Sequence, residues 1–201
     1  MDLLLFLEHI DIQMLWWIRE ASLMIPFMGL IVRVFADLQP LLFAIFLIAL
    51  WCYGISLDHD GPRHVALDLF WHVMGAFVLY WCINQLLPLR PRPELILDLP
   101  PLINHLPDNS FPSGHAMFWW ASWWATKHLL NRKQVTHFFF WTGLITCTTR
   151  VIAGIHYPGD IIVGFLLWWG ILEVLLRIPH HGLYRRYAHD LPISLAKRLW
   201  L

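Results

Sequence analysis

Thr149-Arg150-Val151-Ile152-Ala153-Gly154-Ile155-His156-Tyr157-Pro158-Gly159-Asp160 puts an arginine, a histidine and an aspartate where two strongly apolar runs meet, Phe138 to Ile152 and Ile161 to Leu176. Runs of that character belong in lipid, and charged side chains at their junction are costly there unless they are used. Upstream lie three more such runs, Leu41 to Leu57, Val65 to Leu87 and Ala116 to Leu130. Several are shorter than the roughly 20 residues a spanning helix needs, so polar flanking residues must complete them. Residues 1–20 space Leu4, Leu5, Leu7, Ile10, Met14, Trp17 and Ile18 at roughly helical intervals around Glu8, Asp11 and Glu20, the pattern of an amphipathic helix lying along an interface. Residues 21–37 are apolar but broken by Pro26, Gly29 and Arg33, which suggests a re-entrant or interfacial helix. The expected fold is therefore all-α: a polytopic membrane bundle of about five transmembrane helices preceded by amphipathic and re-entrant helices. One integral membrane domain would fill residues 1–201: N-terminal helices over 1–37, a core over 38–176 and a basic tail over 177–201.

Composition agrees. Of 201 residues 58% are hydrophobic and 14% charged, with mean hydropathy +0.56, well to the apolar side of a soluble domain. Formal net charge is zero, so no global field points to nucleic acid. Cys52, Cys82 and Cys147 fall inside apolar runs without metal-like spacing and read as buried free thiols. The acidic start Met1-Asp2 lacks the basic opening of a signal peptide. Five spans place Arg63, Lys127, Arg132, Lys133, Arg177, Arg185, Arg186, Lys197 and Arg198 toward one side, and Arg19, Arg33, Arg90, Arg92 and Arg150 toward the other. The positive-inside rule then puts the tail in the cytoplasm and the polar clusters outside.

Those clusters are Arg90-Pro91-Arg92-Pro93, Phe111-Pro112-Ser113-Gly114-His115 and the stretch from Thr149 to Asp160. Converging guanidinium forks on Arg90, Arg92 and Arg150 suit a phosphomonoester or a pyrophosphate. Ser113 is a helix cap, Gly114 permits close backbone approach, and the free amides of a helix start attract an anion beside His115. His156 and Asp160, four residues apart, suit a nucleophile and its orienting carboxylate, with the other imidazole nitrogen left unprotonated. Metal ligation is the rival reading of these histidines and this aspartate, and the neighbouring arginines oppose it.

Together the clusters resemble the signature of the type 2 phosphatidic acid phosphatase superfamily: Lys-x6-Arg-Pro, then Pro-Ser-Gly-His, then Ser-Arg-x5-His-x3-Asp. The second part is intact as Pro112 to His115. The third has threonine for serine at Thr149, followed by Arg150, His156 and Asp160. The first matches at Arg92-Pro93, but Gln85 stands at the lysine position. The similarity spans about residues 66–176. It implies a lipid phosphatase that needs no metal or other cofactor. His156 would attack phosphorus and form a phosphohistidine, Asp160 would orient it, and His115 would protonate the leaving oxygen and then activate water. Arg92, Arg150, Ser113 and the Gly114 amide would hold the phosphoryl oxygens, with Gln85 and Arg90 beside them. Gln85 removes one cationic contact: either Arg90 compensates, or the enzyme is slower, or it is suited to a substrate with less negative charge.

The expected partners are membrane lipids and a lipid phosphate substrate, with undecaprenyl diphosphate favoured because the chain is small and the site faces outward. Phosphatidic acid, phosphatidylglycerol phosphate and lipid A phosphates are the alternatives, as are a lipid phosphotransferase and a non-catalytic lipid-phosphate binder or transporter. The expected location is a bacterial inner membrane, with the site toward the periplasm. His72 reads as a bundle hydrogen-bonding residue and Glu173 as a cytoplasmic-end residue. Asp58, His59 and Asp60 read as a solvated turn, and Asn104, His105, Asp108 and Asn109 as shaping the entrance. Trp119, Trp120, Trp123 and Trp124 read as packing residues.

Overall fold

Within the 201-residue chain, the computed structural model describes residues 3–87, 90–104, 109–175 and 186–198. These form helices and turns, with no strand among the described residues: α1 (Leu3–Leu23), α2 (Met28–Phe35), α3 (Leu38–Ser56), α4 (Asp60–Leu86), α5 (Pro93–Ile96), α6 (Gly114–Ala125), α7 (Lys133–Ala153), α8 (Pro158–Leu175) and α9 (Leu191–Arg198). A π-helical turn, Thr126–Leu130, extends α6, and another, Arg186–Asp190, precedes α9. Over its described residues, each of the five apolar runs read from the sequence is mostly helical. Among the described residues, α3 and α4 are the helices both long and apolar enough to cross a membrane unaided, while α8 has a shorter apolar stretch, Pro158–Ile171.

Local chemistry sets the ends. The His59 ring accepts from the Gly61 amide at 3.0 Å and caps α4. Pro93 opens α5 at a position where a missing amide hydrogen costs nothing. Gly154 closes α7 in the left-handed region at φ 80°, its N–H returning to the Arg150 and Val151 carbonyls. A Cβ there would lie 2.5 Å from Arg19 Nη1 as well.

α6 is the central element, packed against α4, α7 and α8. Phe43, Leu69, Val73, Met117, Trp120, Phe139 and Trp168 fill the space around it. Trp119, Trp120 and Trp124 are buried there, as the packing reading required. On the outer surface, large apolar side chains are widely exposed, among them Leu41, Ile45 and Ile48 on α3 and Phe77, Val78 and Trp81 on α4. Cys52 and Cys82 share that surface, so of the three free thiols only Cys147 is buried as expected. Helices in lipid gain little from excluding water, and close packing with a few internal hydrogen bonds must hold them. Gln39 Nε2 donates to Ser122 Oγ at 3.0 Å, joining α3 to α6. Gly143 is where α7 meets the Trp119 ring: a Cβ would fall 1.7 Å from Cδ1 of an indole wedged against Phe140 and Phe165. Gly143→Ala should therefore lower stability by about 1–3 kcal/mol, read as a depressed thermal midpoint in detergent.

α1 is a helix as expected, with apolar side chains outward, but Asp11 from its polar side is turned into the bundle. Asp11, Leu15 and Arg19, one turn apart, are buried against the bundle, while Leu5, Leu7, Met14 and Trp17 point outward. Arg19 donates to the carbonyls of Ile152 (3.0 Å) and Pro100 (2.5 Å), so the buried charge is spent on backbone acceptors. At the far end, Lys197 Nζ lies 2.6 Å from Asp60 Oδ2, tying α9 to the start of α4.

Candidate active site

The loop that carries the first polar cluster is fastened to the loop before α6. Arg90 N–H donates to Asn109 Oδ1 at 2.8 Å, and Ser110 N–H donates to the Arg90 carbonyl at 2.9 Å. This seats Arg92, 2% exposed, where its Nη1 donates to the Ile155 carbonyl at 2.6 Å and lies 3.2 Å from His156 Nε2. The turn after Gly154 delivers His156, 2% exposed. Its Nδ1 is 2.9 Å from the Ser110 carbonyl. A carbonyl only accepts and a guanidinium only donates, so these neighbours assign the proton to Nδ1 and a lone pair to Nε2. His156 thus presents an unprotonated Nε2 on the cavity wall.

Asp160 was expected to accept from His156 directly. Its Oδ2 is instead 3.6 Å from Nδ1, beyond hydrogen-bond length, and the backbone carbonyl of Ser110 takes that role. Asp160 is fully buried and engaged elsewhere. Oδ1 receives Arg90 Nη1 at 2.6 Å, and Oδ2 receives the Ser110 hydroxyl in a short contact and the Tyr157 amide at 2.9 Å. Its negative charge remains close enough to stabilise positive charge on the imidazole.

Arg90, expected on the phosphate, lies behind His156 and Asp160. It bridges Asp160 and Asp11, the latter at 2.6 Å, and its guanidinium stacks 4.0 Å above the Tyr157 ring. Asp11 also accepts from the Gly159 amide at 2.7 Å, and a Cβ on Gly159 would lie 2.7 Å from the same carboxylate. The N-terminal helix thereby reaches the start of α8.

His115 sits in the first turn of α6 with Nε2 3.0 Å from Asp37 Oδ1 and 3.3 Å from Arg150 Nη1. A lone pair facing a carboxylate would be repelled, so here Nε2 carries the proton. The two imidazoles therefore present opposite forms of the same atom, a hydrogen-bond acceptor on His156 and a donor on His115. Arg150, 1% exposed, donates to Asp37 Oδ1 at 2.8 Å and to the Ala36 carbonyl at 3.3 Å. The hydrogen bond from His115, opposed by partial burial and aided by the charge of Arg150, lowers the Asp37 carboxyl to about 2. Ser113 Oγ is buried with no partner among the described residues, at the start of α6 where amides are also unspent.

A cavity of about 320 Å³ joins these groups. Arg92, Gly114, His115, Arg150 and His156 line it together with Pro40, Phe77, Tyr80 and Phe118. Phe77 is 56% exposed on α4, so the apolar lining continues to the outer surface. Gln85 does not line the cavity; it is exposed in the last turn of α4. His72 bonds to the Asp68 carbonyl of its own helix at 2.7 Å. His105, Asp108, Arg177, Arg185 and the side chain of Glu173 lie outside the described residues. Asp11, Asp37 and Ser110 contribute without having been singled out in the sequence, because their partners are distant in the chain.

Residues 86–182 match the PAP2 superfamily. Undecaprenyl-diphosphatase BcrC of Bacillus subtilis (strain 168) is 29% identical over 134 residues, 63% of this chain and 66% of that protein. Two proteins named lipid A 1-phosphatase are similar over 120 residues, 55% of this chain. That of Rhizobium johnstonii is 34% identical with 47% of its length covered, and that of Rhizobium etli 33% with 49%. The chain thus spans from about half to just under two thirds of the length of these relatives. No solved structure matches it.

Proposed function

We propose that this chain, which matches the PAP2 superfamily over residues 86–182, is an integral membrane enzyme that hydrolyses a lipid phosphate or diphosphate through a phosphohistidine, without a metal. The observation that carries this reading is the pairing of opposite protonation forms across one cavity, an unprotonated His156 Nε2 beside Arg92 and a protonated His115 Nε2 beside Arg150. His156 Nε2 attacks phosphorus as the bond to the lipid oxygen breaks, and His115, as the imidazolium paired with Asp37, gives that oxygen its Nε2 proton and becomes neutral. His115 then takes a proton from water, whose oxygen attacks the phosphohistidine, releasing inorganic phosphate and regenerating both rings. Arg92, Arg150, Ser113 and the Gly114 amide hold the phosphoryl oxygens, supplying fixed positive charge where a metal ion would otherwise be needed. Asp160 stabilises the positive His156 ring, and Arg90 with Ser110 holds Asp160.

The apolar side of the cavity suits a lipid entering sideways from the bilayer with its tail along Phe77, Tyr80 and Phe118. Undecaprenyl diphosphate is the favoured substrate, in keeping with the name of the Bacillus relative. The proposed setting is a bacterial inner membrane with the cavity toward the periplasm and the basic tail in the cytoplasm, as the lysine and arginine bias requires.

The test is phosphate release from undecaprenyl diphosphate, phosphatidic acid, phosphatidylglycerol phosphate and lipid A in detergent with chelator present. Release should persist in chelator and be fastest with undecaprenyl diphosphate. A requirement for divalent metal would overturn the metal-free mechanism. Binding without release would indicate a lipid-phosphate binder, and loss of substrate phosphate to another lipid would indicate a phosphotransferase.

A further inference from the structure

Asp37 stands outside residues 86–182, at the N-cap of α3, and one of its oxygens touches two groups of the cavity wall. Oδ1 lies 2.8 Å from Arg150 Nη1 and 3.0 Å from His115 Nε2. We infer that Asp37 is a displaceable carboxylate, holding the acid imidazole and Arg150 in position while the cavity is empty and surrendering both donors to the incoming phosphoryl group. This rests on the reading of the cavity as a phosphoryl site.

Two features support displacement over a fixed structural pairing. The Asp37 side chain is 74% exposed while that of Arg150 is 1% exposed, so rotation of the aspartate opens no internal hole. An N-cap aspartate ordinarily accepts from an amide in the first turn of its helix, but Asp37 makes no such bond. The released carboxylate would have that turn to fall back on, at the Gln39 amide, because Pro40 has none to offer.

The consequence is self-competition. A bound carboxylate and a phosphate cannot share the same two donors at their full strength, so each weakens the other by the same factor. Since the Asp37 carboxyl is held down at about 2, the latch is ionised at any ordinary pH, and it is opened by an anion rather than by titration. Removing its charge should therefore tighten anion binding, a gain that damage to the fold would not produce.

The experiment is binding of inorganic phosphate to the full chain in detergent, measured by calorimetry for the wild type, Asp37→Asn, Asp37→Glu and Arg150→Gln. Phosphate should bind Asp37→Asn more tightly than wild type by on the order of tenfold. Asp37→Glu, which keeps the charge, should stay within a few-fold of wild type, and Arg150→Gln should bind weakly. With the lipid substrate, Asp37→Asn should lower both KM and kcat, since the acid imidazole loses its alignment along with its competitor. Equal or weaker phosphate binding by a folded Asp37→Asn, while wild type binds and Arg150→Gln does not, overturns the role of Asp37 and leaves the phosphoryl site standing. Phosphate binding that survives Arg150→Gln unchanged, or is absent in all four proteins, overturns the phosphoryl site and the latch with it.

Discussion

His156→Ala should abolish phosphate release, a loss of at least about a thousandfold in kcat, because the other imidazole of the cavity, His115, presents a donor to Asp37 rather than a lone pair. The ring is buried, and its contacts with Arg92 and Ser110 fix the lone pair toward the cavity. Alanine removes the nucleophile but leaves Arg92 and Arg150 able to hold the lipid, so binding should persist while turnover disappears. Brief exposure of the wild type to a lipid labelled at the transferred phosphorus should leave label on the protein that is lost in acid and kept in alkali, the behaviour of a phosphorus–nitrogen bond. His115→Ala should accumulate that label, because it slows attack by water. Substantial turnover in His156→Ala, or label that is stable to acid, would refute the phosphohistidine.

Arg90→Met should cost the protein stability rather than substrate affinity. The guanidinium is the counter-ion of Asp160, which is fully buried, and of Asp11, whose side chain is 12% exposed. Removing the cation leaves two carboxylates close together with no charge between them, and breaking a buried pair in this way costs roughly 3–5 kcal/mol. Arg90 is itself a quarter exposed, so the lower end, about 3 kcal/mol, is expected. A detergent melting curve should show a large fall in midpoint. In the surviving folded fraction, kcat should drop while KM changes little, since Asp160 no longer braces the Ser110 and Tyr157 contacts that aim His156. A raised KM with an unshifted midpoint would instead assign Arg90 to the phosphate. The double variant Asp11→Asn, Arg90→Met should recover part of the stability, because only one unpaired carboxylate then remains.

The inward face of α1 shows what pattern alone leaves out of this segment. Spacing of Leu5, Leu7, Met14 and Trp17 correctly marks a helix with an apolar side. In a soluble protein that side faces the core, and in an interfacial helix it faces lipid while charges face water. Here Asp11 and Arg19 turn toward other protein groups because Arg90, Gly159 and two backbone carbonyls await them. Nothing within residues 1–20 carries that information.

By itself, the sequence determined the helical class, the five apolar runs and the residues that carry charge into the cavity. Arg92, Ser113, Gly114, His115, Arg150 and His156 could be named because apolar surroundings make polar side chains conspicuous and because their spacing is local. Only the tertiary structure decided which carboxylate serves which ring. Asp37 meets Arg150 across 113 positions and Asp11 meets Arg90 across 79, and the Ser110 carbonyl displaced Asp160 from the expected bond to His156. Such contacts are fixed by how α1, α3, α7 and α8 pack. An ionic or hydrogen-bonded pair depends on a few tenths of an ångström of approach, while hydropathy and motif spacing specify only which residues are available to make it.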